Sequence, residues 1–371
     1  MSGSLMDDVL IIGGGVIGLS LAWELARQGR TVQVIDRGEL GREASWAGAG
    51  ILPPAAFKAD DHPAEQLRGL ACRLHGQWAE RLRRETGLDN GYRRCGGLYL
   101  ARTAGERAAL AAWAALLRED GVAMESLTDD ALGQLEPGLA PGAGTAAVLA
   151  PEEAQLRNPW HLQALAAACQ RAGVRLAPLT PAEELVVRDG ELAAVHTPRG
   201  PLHARQFCFT SGAWTGQLLR HAGLSLAILP IRGQMVLFRC SQPPLRRIVN
   251  EGSRYLVPRE DGRVLAGSTE EDVGFDKRTT DEALAELVAF ARGLVPALAA
   301  AQIERTWAGL RPGSLDGMPY LGRLPGLANA YVAAGHFRTG LYLSPATAVV
   351  MSQLMRGEPP EIDLSPFRVG R

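Results

Sequence analysis

Gly13, Gly15 and Gly18 form a GxGxxG pattern between a short apolar run and a helical one, and an acid, Asp36, closes the strand that follows. The chemistry of this set is recognition of phosphate and ribose. Gly13 permits a tight turn, Gly15 lets the backbone approach a pyrophosphate, and Gly18 lets the helix pack closely on the strand. The helix start at Val16 and Ile17 offers free N–H groups and a partial positive charge to that pyrophosphate. Asp36 stands where a carboxylate accepts hydrogen bonds from a ribose 2′-hydroxyl, and its charge argues against a 2′-phosphate, hence against NADP.

These residues need elements to hold them in register. Residues 9–12 read as a strand buried on both faces, Ile17, Leu21 and Leu25 recur at helical spacing, Gly29 stops that helix, and 31–36 read as a second strand. The fingerprint alone leaves NAD and FAD both open. After Asp36 the regular strand–helix alternation stops, which a nicotinamide domain would continue. In its place comes a glycine- and alanine-rich stretch, 38–54, just after Arg37 and carrying Arg42, Ser45, Ala47, Gly48 and Gly50. Small residues there let backbone amides and hydroxyls sit against a flat ring or a phosphate. FAD is the dinucleotide this arrangement favours.

Farther along, helices are expected at 62–86, 103–119, 158–173 and 280–294, with Asn158 as an N-cap before Pro159. Strands are expected at 93–102, 146–151, 184–188, 191–196 and 202–210, the last running into Ser211, Gly212 and Trp214. Segments 230–240, 254–258 and 263–267 alternate as antiparallel strands do. Residues 306–312 and 329–335 read as further strands, and 336–355 holds a final helix with a glycine-marked start. These elements read as α/β, passing to α+β in the second part: a Rossmann-like start that favours FAD, followed by antiparallel strands.

Composition sets limits. The length of 371 residues suggests two domains, and 46% hydrophobic with 21% charged residues is ordinary for a globular chain. A net charge of −1 supplies no basic field for nucleic acid or an acidic membrane. Lys58 and Lys277 are the only lysines, a poor basis for Schiff-base chemistry, while arginine suits bidentate contact with carboxylates and phosphates. The five cysteines are odd in number and scattered, which supports neither a disulfide framework nor a metal site and fits a reducing cytoplasm. The acidic start argues against a signal peptide, and the run from Val9 to Trp23 is too short and glycine-broken to cross a membrane.

LIIGGGVIGLSLAWELARQG, EASWAGAGILPP, FTSGAW, WAGLRPGSLDGMPYLG and AAGHFRTGLYLSPATA together span nearly the whole chain. The chain so resembles the FAD-dependent amino acid oxidases, the D-amino acid oxidase and sarcosine oxidase superfamily, and within it the glycine oxidase branch of thiamine biosynthesis. The resemblance implies a discontinuous FAD-binding domain over 1–90, 156–226 and 305–371, with a substrate domain over 91–155 and 227–304. It implies that Arg311 grips a substrate carboxylate, that Tyr255 adds a hydroxyl hydrogen bond, and that Arg338 lies near the same site and the flavin. Gly340 and Leu341 would turn the N-terminal end of the last helix toward the flavin, and His336 would line its face or hold the loop before that helix. Trp46 and Trp307 are expected as core more than as pocket walls. Ser253 stands where a relative has histidine.

What the resemblance implies of activity is hydride transfer from the α-carbon of a neutral small amino acid (glycine, sarcosine or D-alanine) to FAD. The products are an imine, then an oxo acid, with O2 reduced to H2O2. No protein acid or base is required if the amine arrives unprotonated. The flavin would be non-covalent, because the last cysteine is Cys240. A homo-oligomer, a tetramer by resemblance, is expected, with neither nucleic acid nor membrane as partner. Two rivals stay open: an FAD-dependent D-amino acid dehydrogenase with a non-oxygen acceptor, and a non-catalytic FAD-binding protein.

Overall fold

The computed structural model describes residues 6–371. Residues 1–5, part of the acidic start read as no signal peptide, lie outside the described residues. The apolar strand Asp7–Ile12 takes its place inside a six-stranded sheet, between Val32–Ile35 and Ala204–Phe209, all three parallel. Arg175–Ala177 extends that sheet beyond Val32–Ile35, and Ala330–Ala334 with Tyr320–Arg323 extends it on the other side, the last pair antiparallel. Val9, Leu10 and Ile11 are buried on both faces, as a parallel sheet covered by helices demands. The helix Val16–Arg27 packs on this sheet against the last helix, Gly340–Met355. Their shared core holds Leu21, Leu25, Ala346 and Val350, and Trp23 meets Trp78 edge to face at 4.8 Å.

A second, nine-stranded sheet supplies the other wall. Ile228–Arg239 pairs along most of its length with Gln302–Ser314, and on its other edge with Arg263–Gly267 and then Glu271–Asp272. Arg254–Pro258, Ile248–Glu251, Gly97–Ala101, Ala146–Ala150 and Glu125–Leu127 follow in that order. Alternation sorts the side chains by face. Val236, Phe238, Val249 and Leu256 pack under the helix Asp281–Leu294, whereas Met235, Ile248, Val257 and Leu265 face the loop at Ala49. A side chain buried as completely as Phe238 contributes about 1.5–3 kcal/mol. Among the described residues no helix is long and apolar enough to cross a membrane.

Three local expectations change. Segment 93–102 is not one strand: Arg93–Arg94 pairs with Ala154–Gln155 in a small sheet, while Gly97–Ala101 belongs to the large one. The break comes at Cys95 and Gly96, whose N–H groups both donate to the Glu153 carbonyl. Segment 202–210 likewise divides, Gly200–Leu202 joining a three-stranded sheet and Ala204–Phe209 the six-stranded one. Asn158 does not cap its helix. It is the first helical residue, and its amide instead donates to the Ser45 carbonyl at 2.7 Å, so a tertiary contact outcompetes the local one.

Candidate active site

One cavity of about 660 Å³ runs from the glycine fingerprint across the two sheets, within the range of small-molecule and cofactor sites. At its first end, the backbone is the instrument. Gly13 has φ +119°, and a Cβ there would sit 2.5 Å from the Thr210 carbonyl oxygen. A Cβ on Gly18 would overlap the Gly13 carbonyl, so its task is helix packing, and unlike Gly13, Gly15, Val16 and Ile17 it does not line the cavity. Asp36 accepts from the N–H groups of Gly14 at 2.7 Å and Gly38 at 2.8 Å. Burial raises its pKa, and those two bonds oppose the rise. Gly212 and Trp214 line the same end, where Arg37 lies 3.6 Å over the Trp214 ring.

The small-residue loop follows. Ala44–Ala47 makes one helical turn, and Ser45 Oγ accepts from the Val16 N–H at 2.9 Å, tying the loop to the helix start. Arg42, Ala47, Gly48 and Gly50 line the cavity. Two side chains hold the carbonyls of this loop, Arg259, which carried no motif, and Trp307. Arg259, buried, donates to the Ala49 carbonyl at 2.7 Å, to the Leu156 carbonyl at 3.0 Å and to Gln155 Oε1 at 2.5 Å. Burial pulls its pKa down to about 9. Trp307 Nε1 donates to the Ala47 carbonyl at 3.0 Å, and its ring meets Trp46 at 5.3 Å. Neither tryptophan lines the cavity.

The far wall is the start of the last helix. Gly340, Leu341 and Tyr342 bring first-turn N–H groups, which have no acceptor within the helix, to the cavity. Pro345 leaves the Leu341 carbonyl without its helical donor, and Ser344 Oγ donates to it at 2.9 Å. His336 lines the cavity, yet its Nε2 lies 3.1 Å from Thr347 Oγ1 inside the protein. Burial drives its pKa down to about 3, so it is neutral and adds no positive charge.

The second end is polar and built from side chains. Arg311 Nη2 donates to Ser268 Oγ at 2.6 Å and Nη1 to the Thr269 carbonyl at 3.0 Å. Its guanidinium lies across Gly233, where any side chain would collide with it. Burial lowers its pKa, and the neighbouring Tyr255 phenol opposes that. Among the described residues no carboxylate pairs with it: Glu270, which contributes at longer range, pairs with Arg338 at 3.3 Å. Arg338 is more exposed and also donates to the Ser253 carbonyl at 3.3 Å. Tyr255, Ser253, Met235, Tyr99 and Asn250 complete this end.

The residues present fit FAD. The cradle at Gly13 has no room for a side chain, helix N–H groups face the cavity, and Asn158, which lines it, keeps a buried Oδ1 with no partner. A backbone-lined dinucleotide cleft that opens onto a partly buried arginine with no carboxylate partner is the arrangement of an FAD-dependent oxidoreductase. Residues 8–354 match the DAO family, FAD dependent oxidoreductase, and the chain belongs to it. It is 39% identical to the glycine oxidase of Pseudomonas aeruginosa over 366 residues, 98% of each chain. The crystal structure of glycine oxidase from Geobacillus kaustophilus superposes with a TM-score of 0.94 at 33% identity, covering 99% of both chains. The bifunctional protein ThiO/ThiG of Synechocystis sp. is 33% identical over 94% of this chain and 51% of its own length.

Proposed function

We propose that this enzyme is a glycine oxidase: it oxidises glycine, and with it sarcosine and D-alanine, to the imine and thence the oxo acid and ammonia. O2 is reduced to H2O2, and the imine of glycine supplies thiamine thiazole synthesis. The observation that carries the reading is Arg311, a partly buried cation facing the cavity with no carboxylate partner. Withdrawing such a charge from water is unfavourable unless an anion joins it, and a substrate carboxylate supplies that anion with a bidentate geometry.

Bound FAD supplies the hydride acceptor and the means of passing electrons to oxygen. The chain's part is placement. Ser268 and the Thr269 carbonyl fix the Arg311 guanidinium, Gly233 leaves it room, and Tyr255 adds its hydroxyl to the same carboxylate. Holding one end of so small a molecule orients its α-carbon, and orientation is worth several orders of magnitude in rate. Arg338, tied to Glu270 at the rim, guides the anion inward. We assign the FAD contacts to Gly13, Gly15, Val16, Ile17, Asp36, Arg37, Arg42, Ser45, Ala47, Gly48, Gly50, Gly212, Trp214, His336, Arg338, Gly340 and Leu341.

We assign the FAD domain to 1–90, 156–226 and 305–371 and the substrate domain to 91–155 and 227–304, with the strand Gln302–Ser314 crossing the boundary at 305 to pair with Ile228–Arg239 in the nine-stranded sheet. No cysteine lines the cavity, which supports a non-covalent flavin that acid precipitation leaves in the supernatant. A tetramer of identical chains follows from the family resemblance, and light scattering tests it. The activity is tested by peroxide release from the purified yellow protein given glycine, sarcosine, D-alanine, D-proline and L-alanine. Peroxide with glycine or sarcosine is the expected result. Reduction of an artificial dye without peroxide would instead make it a dehydrogenase.

A further inference from the structure

Behind the substrate end lies a carboxyl group that the reading above leaves without a task. Glu153 is completely buried, and its side-chain partners are two cavity-lining residues. The Tyr99 hydroxyl donates to its Oε2 at 2.5 Å and the Asn250 amide to its Oε1 at 3.2 Å. No cation contributes to its environment. A glutamine would fill this space and keep hydrogen bonds without the penalty of a buried acid, so packing alone does not explain a carboxyl here.

The sheet register says where the pair points. Tyr99 pairs with Asn250, and Asn250 pairs with Tyr255, so the three stand side by side on one face, about 5 Å per strand step. An amino acid whose carboxylate is held at Tyr255 and Arg311 has this row beside it. At neutral pH its nitrogen is an ammonium, and hydride leaves the adjacent carbon only when that nitrogen has a lone pair to give. A proton must therefore go somewhere. His336 is a very weak base, with its pKa near 3, and Glu270 is paired with Arg338.

We propose that Glu153 receives the substrate's ammonium proton through the hydroxyl of Tyr99. The Tyr99 oxygen takes a proton from the ammonium while its own proton passes to Glu153 Oε2. An ammonium and a carboxylate thereby become an amine and a carboxylic acid, with no change in total charge. The inference rests on the amino acid oxidase reading. In a dry site the transfer removes two charges at once, which low polarity favours. Burial pushes the Glu153 pKa up to about 7, so near neutral pH both of its protonation states are populated. Burial holds the Tyr99 phenol far above its usual value, so Tyr99 relays a proton without becoming a phenolate. The other ionisable group facing this pair is Tyr342, whose hydroxyl donates to the Arg68 carbonyl.

The test is kcat/KM for glycine across the pH range, measured on flavin-loaded wild type, Glu153→Gln and Tyr99→Phe. Wild type should break near pH 7 and level above it. Both variants should lose that break, fall about 100-fold at neutral pH and climb with pH toward the amine's own pKa, where they approach wild type. Binding of glycolate, which has a carboxylate and no ammonium, should stay within about twofold when read from flavin absorbance, because that contact is uniform binding elsewhere in the site. Should Glu153→Gln not fold, Tyr99→Phe decides alone. Variants that oxidise glycine with the wild-type pH profile overturn this inference only. A wild type that oxidises no amino acid overturns the function reading, and this inference falls with it.

Discussion

The two ends of the cavity recognise their ligands in opposite ways. At the fingerprint end the instruments are backbone N–H groups, a helix start and the absence of Cβ atoms at Gly13 and Gly18. At the other end they are single side chains, Arg311, Tyr255, Tyr99 and Asn250, each on a different strand of the nine-stranded sheet. The first end comes mostly from one stretch, 13–50, joined by Gly212 and Trp214, and it depends on the chain's path more than on particular side chains. The second is assembled by strand register from residues far apart, and it stands or falls with individual functional groups. A cofactor of fixed shape suits the first strategy, and a small charged substrate needs the second.

The comparison breaks first at its backbone end. Gly18→Val forces a side chain into the Gly13 carbonyl and the Thr210 hydroxyl, and should cost about 3 kcal/mol or more and leave the protein colourless. Flavin absorbance and a thermal melt read this; a fully yellow variant would show that the close approach is dispensable. Arg311→Ala, by contrast, should keep the flavin and lose the substrate. Removing one partner of a buried charge-assisted contact costs about 2–5 kcal/mol, so KM for glycine should rise by roughly two to three orders of magnitude. An unchanged KM would remove Arg311 from the carboxylate site.

Acidity sharpens the contrast, because the two regions respond to it with opposite sign. His75, His161 and His336 are buried beside the cofactor cleft, with pKa values pushed down by burial to about 4, 3 and 3. Their contribution is present above the ordinary value of 6.5 and is lost as pH falls toward those values, at about 1.4 kcal/mol per pH unit for each. Glu153 runs the other way. With a folded pKa of about 7 against 4.5 in the open chain, it costs stability as pH rises through that window, about 3 kcal/mol by pH 8. Denaturant unfolding should therefore show Glu153→Gln gaining on wild type at pH 8 and matching it near pH 4. A gain that does not vary with pH would contradict the buried, raised carboxyl. The smallest effect belongs to Arg338→Ala. That side chain is 38% exposed and already paired with Glu270, so KM should change by less than about tenfold.

This division also explains what the sequence disclosed. The strand, fingerprint, helix and Asp36 are local, so their spacing exposes them, and the apolar alternation of 230–240 exposes a sheet. Motifs in runs such as WAGLRPG and GHFRTG carried Arg311 and Arg338 by resemblance. Glu153 and Arg259 had no such signal: one sits in the turn after a strand, the other in the turn PREDGR, and only register brings them to Tyr99 and Ala49. Asn158 misled because an Asn–Pro pair is a sound capping signal, and only the folded loop at Ser45 offers its amide something better. The break within 93–102 depends on the Glu153 carbonyl, which lies more than fifty residues away in sequence.

The most direct test compares glycine with methylamine, which has the same amine and no carboxylate, by peroxide release from the yellow protein and from Arg311→Ala. With wild type, glycine should be oxidised and methylamine should not, and the substitution should bring glycine down toward methylamine. Equal oxidation of both amines by wild type would contradict the claim that Arg311, partly buried and without a carboxylate partner, selects the substrate by its carboxylate.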